Sequence, residues 1–499
     1  MLDSLREPWL RGIAFNRAAP SGVLIRLVDR AAGEAGPLMC EGRHLPDAVV
    51  DEALQHPARE IRRALARNLH VDPARLAPLA TDPSGLVRAS LARGLSVSPR
   101  WIRPLPDDVL VTLLTAQDGG EDGRLDAGEI IGKLCSSRQI PLSFHRSLAD
   151  REHPELRRRA TWDWHSLTPA QRERLLDDPD PAVREAAQAG SWVLDPERVE
   201  AKLPSFSRGG VFVFGMCALS PALIERCFTD DTPYLLTLAR NRHAPAFAVA
   251  RLARHPEAKV RAVAAVRPDL GPDLVAELRK DPDDDVRMRA RLHPFLRTWV
   301  EYEMIERAVD HGPDCTCPIT EPAVEPSPDW FAACAVSGEP VLRRVAASWP
   351  RLPAELVAAL AQDDDEEVRI RLACHHPLAP PRLLLNVFVT RPAHRPHLLT
   401  LPAFPRTGTA HLIGHSDPQV RALAAADPAL PDPPLDDPDE SVRRAAAANP
   451  CLTPQALEVL LVDPRTAEGA AANPSLPVPR MHDLLDHCLN TAATPPPTA

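Results

Sequence analysis

The chain repeats a short sequence pattern along most of its length. Each copy has an acidic turn, a Val-Arg pair, an alanine-rich run, Asn-Pro or His-Pro, and then a leucine-rich stretch. Internal periodicity of this kind predicts a solenoid, because a short unit buries its apolar face only against neighbouring copies. The clearest copies begin at Val260-Arg261, Val286-Arg287, Val368-Arg369, Val420-Arg421 and Val442-Arg443.

The copies are short and vary in length. Val260 and Val286 are 26 residues apart, whereas Val420 and Val442 are 22 apart. A repeat of about 22 to 27 residues is shorter than the HEAT and tetratricopeptide units. We expect the repeats to run from about residue 9 to about residue 485.

Within one copy, the residues predict two short helices. After Val442 the alanine-rich run favours a helix, and Asn449-Pro450 stops it because the residue before a proline avoids the α region. Thr453-Pro454 then supplies an N-cap and a first-turn proline for a second, more apolar helix. The apolar residues at positions 457 and 459 to 461 are expected to pack inward.

Two segments carry a family resemblance. VRRAAAANPCLTPQALEVLLVD (442 to 463) and VRAVAAVRPDLGPDLVAELRKD (260 to 281) resemble the leucine-rich repeat variant, a bacterial repeat similar in appearance to HEAT repeats. The resemblance covers most of the chain and implies an all-α, right-handed α-solenoid with one α-helix and one short 3₁₀ helix per repeat. Founding members of that family carry an amino-terminal cysteine-rich iron–sulfur segment, but the first 130 residues here hold only Cys40.

Breaks in the repeat pattern predict six segments. These are amino-terminal repeats (1–115), an insertion (116–155), central repeats (156–309), a proline-rich linker (310–330), carboxy-terminal repeats (331–490) and a disordered tail (491–499). No apolar run approaches the roughly 20 residues of a membrane span, and the amino terminus lacks the layout of a signal peptide. We therefore expect a cytoplasmic protein with no membrane contact and with reduced cysteines.

The insertion contains a sequence close to an EF-hand calcium loop, DGGEDGRLDAGE. Calcium takes oxygen ligands from loop positions 1, 3, 5, 7, 9 and 12. Asp118, Asp122, Asp126 and Glu129 fill positions 1, 5, 9 and 12, and Arg124 would offer its backbone carbonyl at position 7. Position 3 is a glycine without a side-chain oxygen, so any calcium binding is predicted to be weak. The alternative is a solvated acidic loop, and no other cofactor is expected.

The proline-rich linker holds a weaker candidate metal site. His311, Cys315 and Cys317, with Cys334, are zinc-ligating residue types. The C-x-C spacing lacks the second pair of ligands that a structural zinc site needs. Free thiols are therefore favoured over a zinc site.

The arginines of the Val-Arg pairs and the histidines of the repeats are predicted to be structural. Each arginine follows an acidic turn, and its forked donors suit bidentate contacts with aspartates of the same or the adjacent turn. His293 and His376 stand where other copies have asparagine, which predicts capping or packing. The Val-Arg arginines in question are Arg261, Arg287, Arg369, Arg421 and Arg443.

The sequence favours a non-catalytic scaffold that binds an unidentified protein or peptide. The sequence lacks the common catalytic and nucleotide-binding motifs in a suitable context. These are the metalloprotease, nucleophile-elbow, Walker and dinucleotide-binding motifs. The alternative is a HEAT-like nucleic-acid-binding protein or DNA glycosylase, in which Trp162, Asp163 and Trp164 would meet the lesion. These three residues are also explained by packing in the core or a groove. The net charge of −10 argues against duplex binding, which draws on basic surfaces.

Overall fold

The computed structural model describes residues 3–94, 104–117, 125–137, 139–202, 214–230, 232–310 and 327–491. All regular secondary structure in these residues is helical, and they contain no β-strand. The helices are short and pack in series along the chain. The prediction of an all-α protein built from consecutive short helices is confirmed.

The helices have the following bounds. The α-helices are Arg6–Phe15, Ser21–Arg26, Ala35–Gly42, Asp47–Gln55, Arg59–Leu65, Gly85–Arg93, Asp107–Thr115, Ala127–Ser136, Leu142–Ser147, Pro154–Ala160, Pro169–Leu176, Pro181–Gly190, Pro196–Lys202, Pro221–Asp230, Thr232–Arg240, Ala246–Ala253, Ala258–Ala265, Pro272–Leu278, Asp284–Arg291, Trp299–Asp310, Pro328–Ala335, Pro340–Ala347, Ala354–Leu360, Glu366–His375, Pro381–Thr390, Arg395–Leu398, Pro418–Ala425, Glu440–Ala447, Pro454–Leu461, Ala467–Ala472 and Val478–Thr491. The 3₁₀ helices are Asp3–Leu5, Arg30–Ala32, Pro73–Thr81, Leu148–Asp150, Thr161–Ser166, Ser191–Leu194, His293–Phe295, Pro392–His394 and Ala410–Leu412.

The chain forms two compact units. Unit 1 combines residues 1–140 with residues 380–499, and unit 2 is residues 141–379. The two ends of the chain therefore belong to one unit. The six predicted segments were defined by breaks in the sequence pattern, whereas these two units are defined by contacts. The division into two units does not test the six segments, which stay predictions.

The helix boundaries within a copy follow from local chemistry. The side chain of Asp439 accepts a hydrogen bond from the backbone N–H of Ser441 and caps Glu440–Ala447. We call this helix, which follows the acidic turn, the first helix of its copy. The Thr453 side chain caps the second helix, Pro454–Leu461, by accepting from Ala456. These bounds match the sequence prediction.

The second helix of a copy differs from what the family resemblance implies. It is α-helical in Pro272–Leu278, Ala354–Leu360 and Pro454–Leu461. Proline in the first turn of Pro272–Leu278 and Pro454–Leu461, and alanine, leucine and glutamate in all three, favour an α-helix there. In Pro73–Thr81 the same element is 3₁₀, and it contains Pro78, which cannot donate an α-helical hydrogen bond.

The two helices of a copy bury one face each. Leu457, Leu460 and Leu461 are buried, but Val459 is 69% exposed, which corrects the prediction that it packs inward. Successive helical residues turn by about 100°, so Val459 lies about 200° around the axis from Leu457 and faces away from the core.

The amino-terminal helix packs on the carboxy-terminal copies in unit 1. Arg6–Phe15 contacts Ala467–Ala472, which in turn contacts Glu440–Ala447. Glycines permit both close approaches, because a Cβ on Gly12 would clash with the backbone oxygen of Glu468, and one on Gly469 would clash with that of Arg444. Arg6–Phe15 therefore packs on the last copy of unit 1 in the way that each copy packs on the one before it.

Candidate functional site

The Val-Arg arginines connect neighbouring copies. The Arg261 guanidinium donates from Nε and Nη2 to the two carboxylate oxygens of Asp281, at 2.7 and 2.8 Å, and from Nη1 to the backbone oxygens of His255 and Pro256. Because Asp281 belongs to the next acidic turn, the arginine joins two turns, as predicted. Equivalent pairs are Arg62–Asp82, Arg157–Asp178, Arg343–Asp363 and Arg421–Asp437.

The remaining Val-Arg arginines contact the acidic turn of their own copy. Arg287 donates to the backbone oxygen of Asp281, and Arg443 donates to that of Asp437 at 2.8 Å. Arg369 donates to the backbone oxygen of Asp363. An acidic turn is thereby held through its carboxylate by one arginine and through its carbonyls by another. The predicted contacts with acidic turns are confirmed, and the bidentate aspartate pairs are confirmed for Arg261 and Arg421. Arg369 and Arg443 contact backbone oxygens of the turn instead.

His376 has the capping role predicted for a histidine at an asparagine position. It is 2% exposed, and its Nδ1 accepts a hydrogen bond from the backbone N–H of Leu378. Asn241 accepts in the same way from the N–H of His243. Burial lowers the pKa of His376 to about 4, so the neutral ring is the folded form.

The structure describes part of the predicted calcium loop. Asp118, Asp122 and Arg124 lie outside the described residues. The carboxylate of Asp126 accepts from the backbone N–H of Glu129 at 2.7 Å, and that of Glu129 accepts from the N–H of Asp126 at 2.9 Å. This reciprocal pair is a capping box that starts Ala127–Ser136. Calcium binding stays a prediction.

The zinc candidates are divided by the limits of the described residues. His311, Cys315 and Cys317 lie outside them. Cys334 lies within Pro328–Ala335 and is fully buried, and burial raises the pKa of its thiol. Among the described residues, no group of three or more histidine, cysteine, aspartate or glutamate side chains is arranged to hold a metal ion.

The aromatic cluster of the glycosylase alternative lies in the 3₁₀ helix Thr161–Ser166. Trp164 is buried, at 4% exposure, and Trp162 is 66% exposed. The guanidinium carbon of Arg159 lies 5.2 Å from the centre of the Trp162 ring, which is a cation–π contact. Trp162 is therefore accessible to a ligand, whereas Trp164 is a core residue.

Unit 2 contains a helix, Trp299–Asp310, that the sequence prediction did not distinguish from the helices of the central repeats. We call it the crossing helix. The elements on either side of its segment already touch, because Trp330 donates from Nε1 to the backbone oxygen of Phe295 at 2.8 Å. Arg291 also pairs with Glu339 at 2.7 Å. The repeat stack thus continues past this segment, and the crossing helix is an addition to it.

The crossing helix is held by arginines from separate copies. Glu306 accepts from Nη1 of Arg289 at 2.8 Å and lies 3.4 Å from Nε of Arg240. Glu303 pairs with Arg242 at 3.0 Å. The backbone oxygen of Ala308 lies 3.4 Å from Nη2 of Arg371. These arginines lie in or next to three first helices, Thr232–Arg240, Asp284–Arg291 and Glu366–His375.

Beside these ion pairs, the crossing helix has an apolar face. Tyr302, Met304, Ile305 and Ala308 are buried, and the helix packs against Pro340–Ala347. At its start, the Glu301 carboxylate accepts from the backbone N–H groups of two preceding residues at 2.6 Å. The segment WVEYEMIERAVD has neither a Val-Arg pair after an acidic turn nor an Asn-Pro stop, and that departure was the sequence signal for it.

No family model matches the chain, and no curated protein matches it. Among solved structures, the crystal structure of an engineered protein matches at 15% identity with a TM-score of 0.16, over 93% of this chain and 98% of that chain. A match at this TM-score supports no conclusion about fold or function.

Within the described ranges, no helix is both long enough and apolar enough to span a bilayer. The longest helix in these ranges, Val478–Thr491, has 14 residues and carries charged side chains.

Proposed function

We propose that the protein is a non-catalytic scaffold that binds a protein or peptide partner on its repeat surface. In this proposal the copies are short, right-handed repeats of the leucine-rich repeat variant type. The observation that carries the proposal is the buried contact between Arg289 and Glu306, through which a first helix holds a helix added to the stack. A surface that accommodates one helix in this way suits recognition of a helical segment.

The proposal is tested by purifying the tagged full-length protein from its native lysate after nuclease treatment, with and without a calcium chelator. We expect mass spectrometry to identify a stoichiometric protein partner that binds again when both proteins are purified. Loss of that partner on chelation would connect the loop from Asp118 to Glu129 with binding. Recovery of nucleic acid alone would contradict the scaffold proposal.

The exposed side chain of Trp162 is the observation that favours the nucleic-acid alternative. A base could stack on this ring, because base–aromatic stacking requires an accessible face. The test is fluorescence anisotropy of a labelled duplex at low salt, with the wild-type protein and Trp162→Ala. Under the scaffold proposal neither protein binds the duplex. Binding that the substitution removes would support the alternative.

A further inference from the structure

We propose that the crossing helix is an intramolecular ligand, and that it occupies a surface of unit 2 on which an acidic amphipathic helix of a partner protein binds. This inference rests on the scaffold function proposed above and names the class of partner. It also makes the protein self-inhibited, because its own helix must leave the surface before the partner helix binds.

The charges on the surface fit an acidic helix. Glu303 and Glu306 are one turn apart on the crossing helix, and they meet Arg242 and Arg289, which are distant in sequence. Arg289 is 7% exposed and Glu306 is 6% exposed, so this pair lies in a largely dry contact. A partner would need a carboxylate at the position of Glu306, since a buried arginine without a counter-charge is costly. A second carboxylate three residues earlier would replace the more exposed pair between Glu303 and Arg242, which contributes less.

The apolar spacing defines the same partner more closely. Tyr302, Ile305 and Ala308 lie at i, i+3 and i+6, and all three are buried. A helix that presents apolar residues at this spacing, each followed by an acidic residue at the first two positions, would reproduce both kinds of contact. Grooves that bind helices commonly read such anchors.

The surface keeps internal ion pairs when the crossing helix is absent. Arg289 also pairs with Asp285 of its own helix at 3.1 Å, and Arg371 pairs with Glu367 at 2.7 Å. These partners come from the copies themselves, so departure of the crossing helix leaves Arg289 and Arg371 each paired with a carboxylate of its own helix. The contacts between Trp330 and Phe295 and between Arg291 and Glu339 likewise keep the stack continuous.

The test uses the full-length protein and a fluorescein-labelled synthetic peptide with the sequence of the crossing helix, WVEYEMIERAVD. One variant replaces residues 299–310 with a Gly-Ser segment of equal length, which removes the occupant. We expect this variant to bind the peptide at least tenfold more tightly than the wild-type protein in fluorescence anisotropy. A control peptide with glutamine at the positions of Glu303 and Glu306 should bind at least tenfold more weakly than the original peptide.

A second variant, Glu303→Gln with Glu306→Gln, keeps the helix and removes its two paired charges. Hydrogen exchange should show faster exchange in the crossing helix and unchanged exchange in Glu366–His375. The proposal is overturned if the Gly-Ser variant folds, by circular dichroism, without binding the peptide. It is also overturned if that variant does not fold and the charge variant exchanges as slowly as the wild type, because the helix is then part of the core. In both cases the scaffold proposal is still supported if the affinity purification finds a stoichiometric protein partner of the wild-type protein.

Discussion

Asn16 lies against Asn473, with its side-chain nitrogen 2.7 Å from the backbone oxygen of a residue 457 positions later. Asn473 makes the same bond to Asn449, and Asn449 makes it to Asp427. We call this series the asparagine ladder. The amino-terminal copy continues it, and Arg43 then donates to the backbone oxygen of Asn16 at 2.9 Å. Terminal copies of a solenoid usually need caps, but in unit 1 the two chain ends provide neighbours for each other.

We expect Asn16→Ala to destabilise the protein as much as Asn449→Ala does. Both amides are fully buried and donate to two backbone oxygens of the preceding copy. Removing such a donor leaves buried carbonyls with fewer partners and should cost about 2 to 3 kcal/mol. Urea unfolding followed by circular dichroism measures both losses. If Asn449→Ala lowers the free energy of unfolding as expected and Asn16→Ala does not lower it, the terminal copies do not pack together.

Two glycine-to-alanine substitutions, one at this junction and one away from it, should have opposite effects on stability. Gly12→Ala should destabilise by about 2 kcal/mol or more, because its Cβ would overlap Glu468 and Ala471 across the junction. Gly132→Ala is the matched control in Ala127–Ser136, where an added Cβ meets nothing within 4 Å. There alanine should stabilise by about 0.5 to 1 kcal/mol, since glycine is a poor helix former. Equal effects of the two substitutions on the melting temperature would argue against the close approach.

The local structure was predictable from the sequence, but contacts between distant segments were not. The cap at Asp439, the stop at Asn449 and the pairing of Arg261 with an acidic turn all depend on residues within one or two copies. The junction at Asn16 depends on a contact 457 positions away, and the copy there has no Asn-Pro to mark it.

The crossing helix was missed for a related reason. Its position depends on arginines spread from Arg240 to Arg371, and no local pattern specifies which copies they come from. The Val-Arg formula draws attention to Arg287, whereas Arg289, two positions later, makes the buried contact with Glu306. Periodicity therefore predicts the repeated contacts of a solenoid and not the contacts of a segment added to it.

Arg261→Lys should destabilise the protein by about 2 kcal/mol. Lysine keeps the charge but cannot donate to both oxygens of Asp281 and to two carbonyls at once, and Asp281 is only 9% exposed. The matched control is Arg254→Lys, because Arg254 makes a similar forked pair with Glu277 on an exposed surface. Exposed pairs add little stability, so the control should unfold as the wild type does. Similar urea midpoints for all three proteins would contradict a connecting role for Arg261.

Glu129→Gln tests the predicted calcium loop without disturbing the helix that follows it. Glutamine can maintain the capping box with Asp126, but it lacks the charge that position 12 of a calcium loop supplies. If the loop binds calcium, calorimetry gives heat for the wild-type protein at a Kd of about 10⁻⁴ to 10⁻³ M, typical of weak sites, and none for the variant. Absence of heat from both proteins would reject the calcium site.

His376 predicts a pH dependence of stability. Its pKa is about 4 in the folded protein and about 6.5 in the unfolded chain, because burial disfavours the charged ring. Between pH 4 and pH 6.5 the unfolded chain therefore binds more protons than the folded protein. The contribution of His376 to the free energy of unfolding is complete above pH 6.5 and is lost as the pH drops toward 4. The loss approaches about 3 kcal/mol, from the pKa difference at about 1.4 kcal/mol per unit.

His376→Asn should remove this loss, since asparagine is the usual residue at this position of the copy and does not titrate. The free energy of unfolding by urea, measured from pH 7 to pH 4.5, should fall less steeply for the variant than for the wild type. His411→Asn provides the control, because it removes an exposed histidine and leaves the buried position intact. Parallel pH profiles for the wild type and His376→Asn would show that burial of this ring does not govern acid stability.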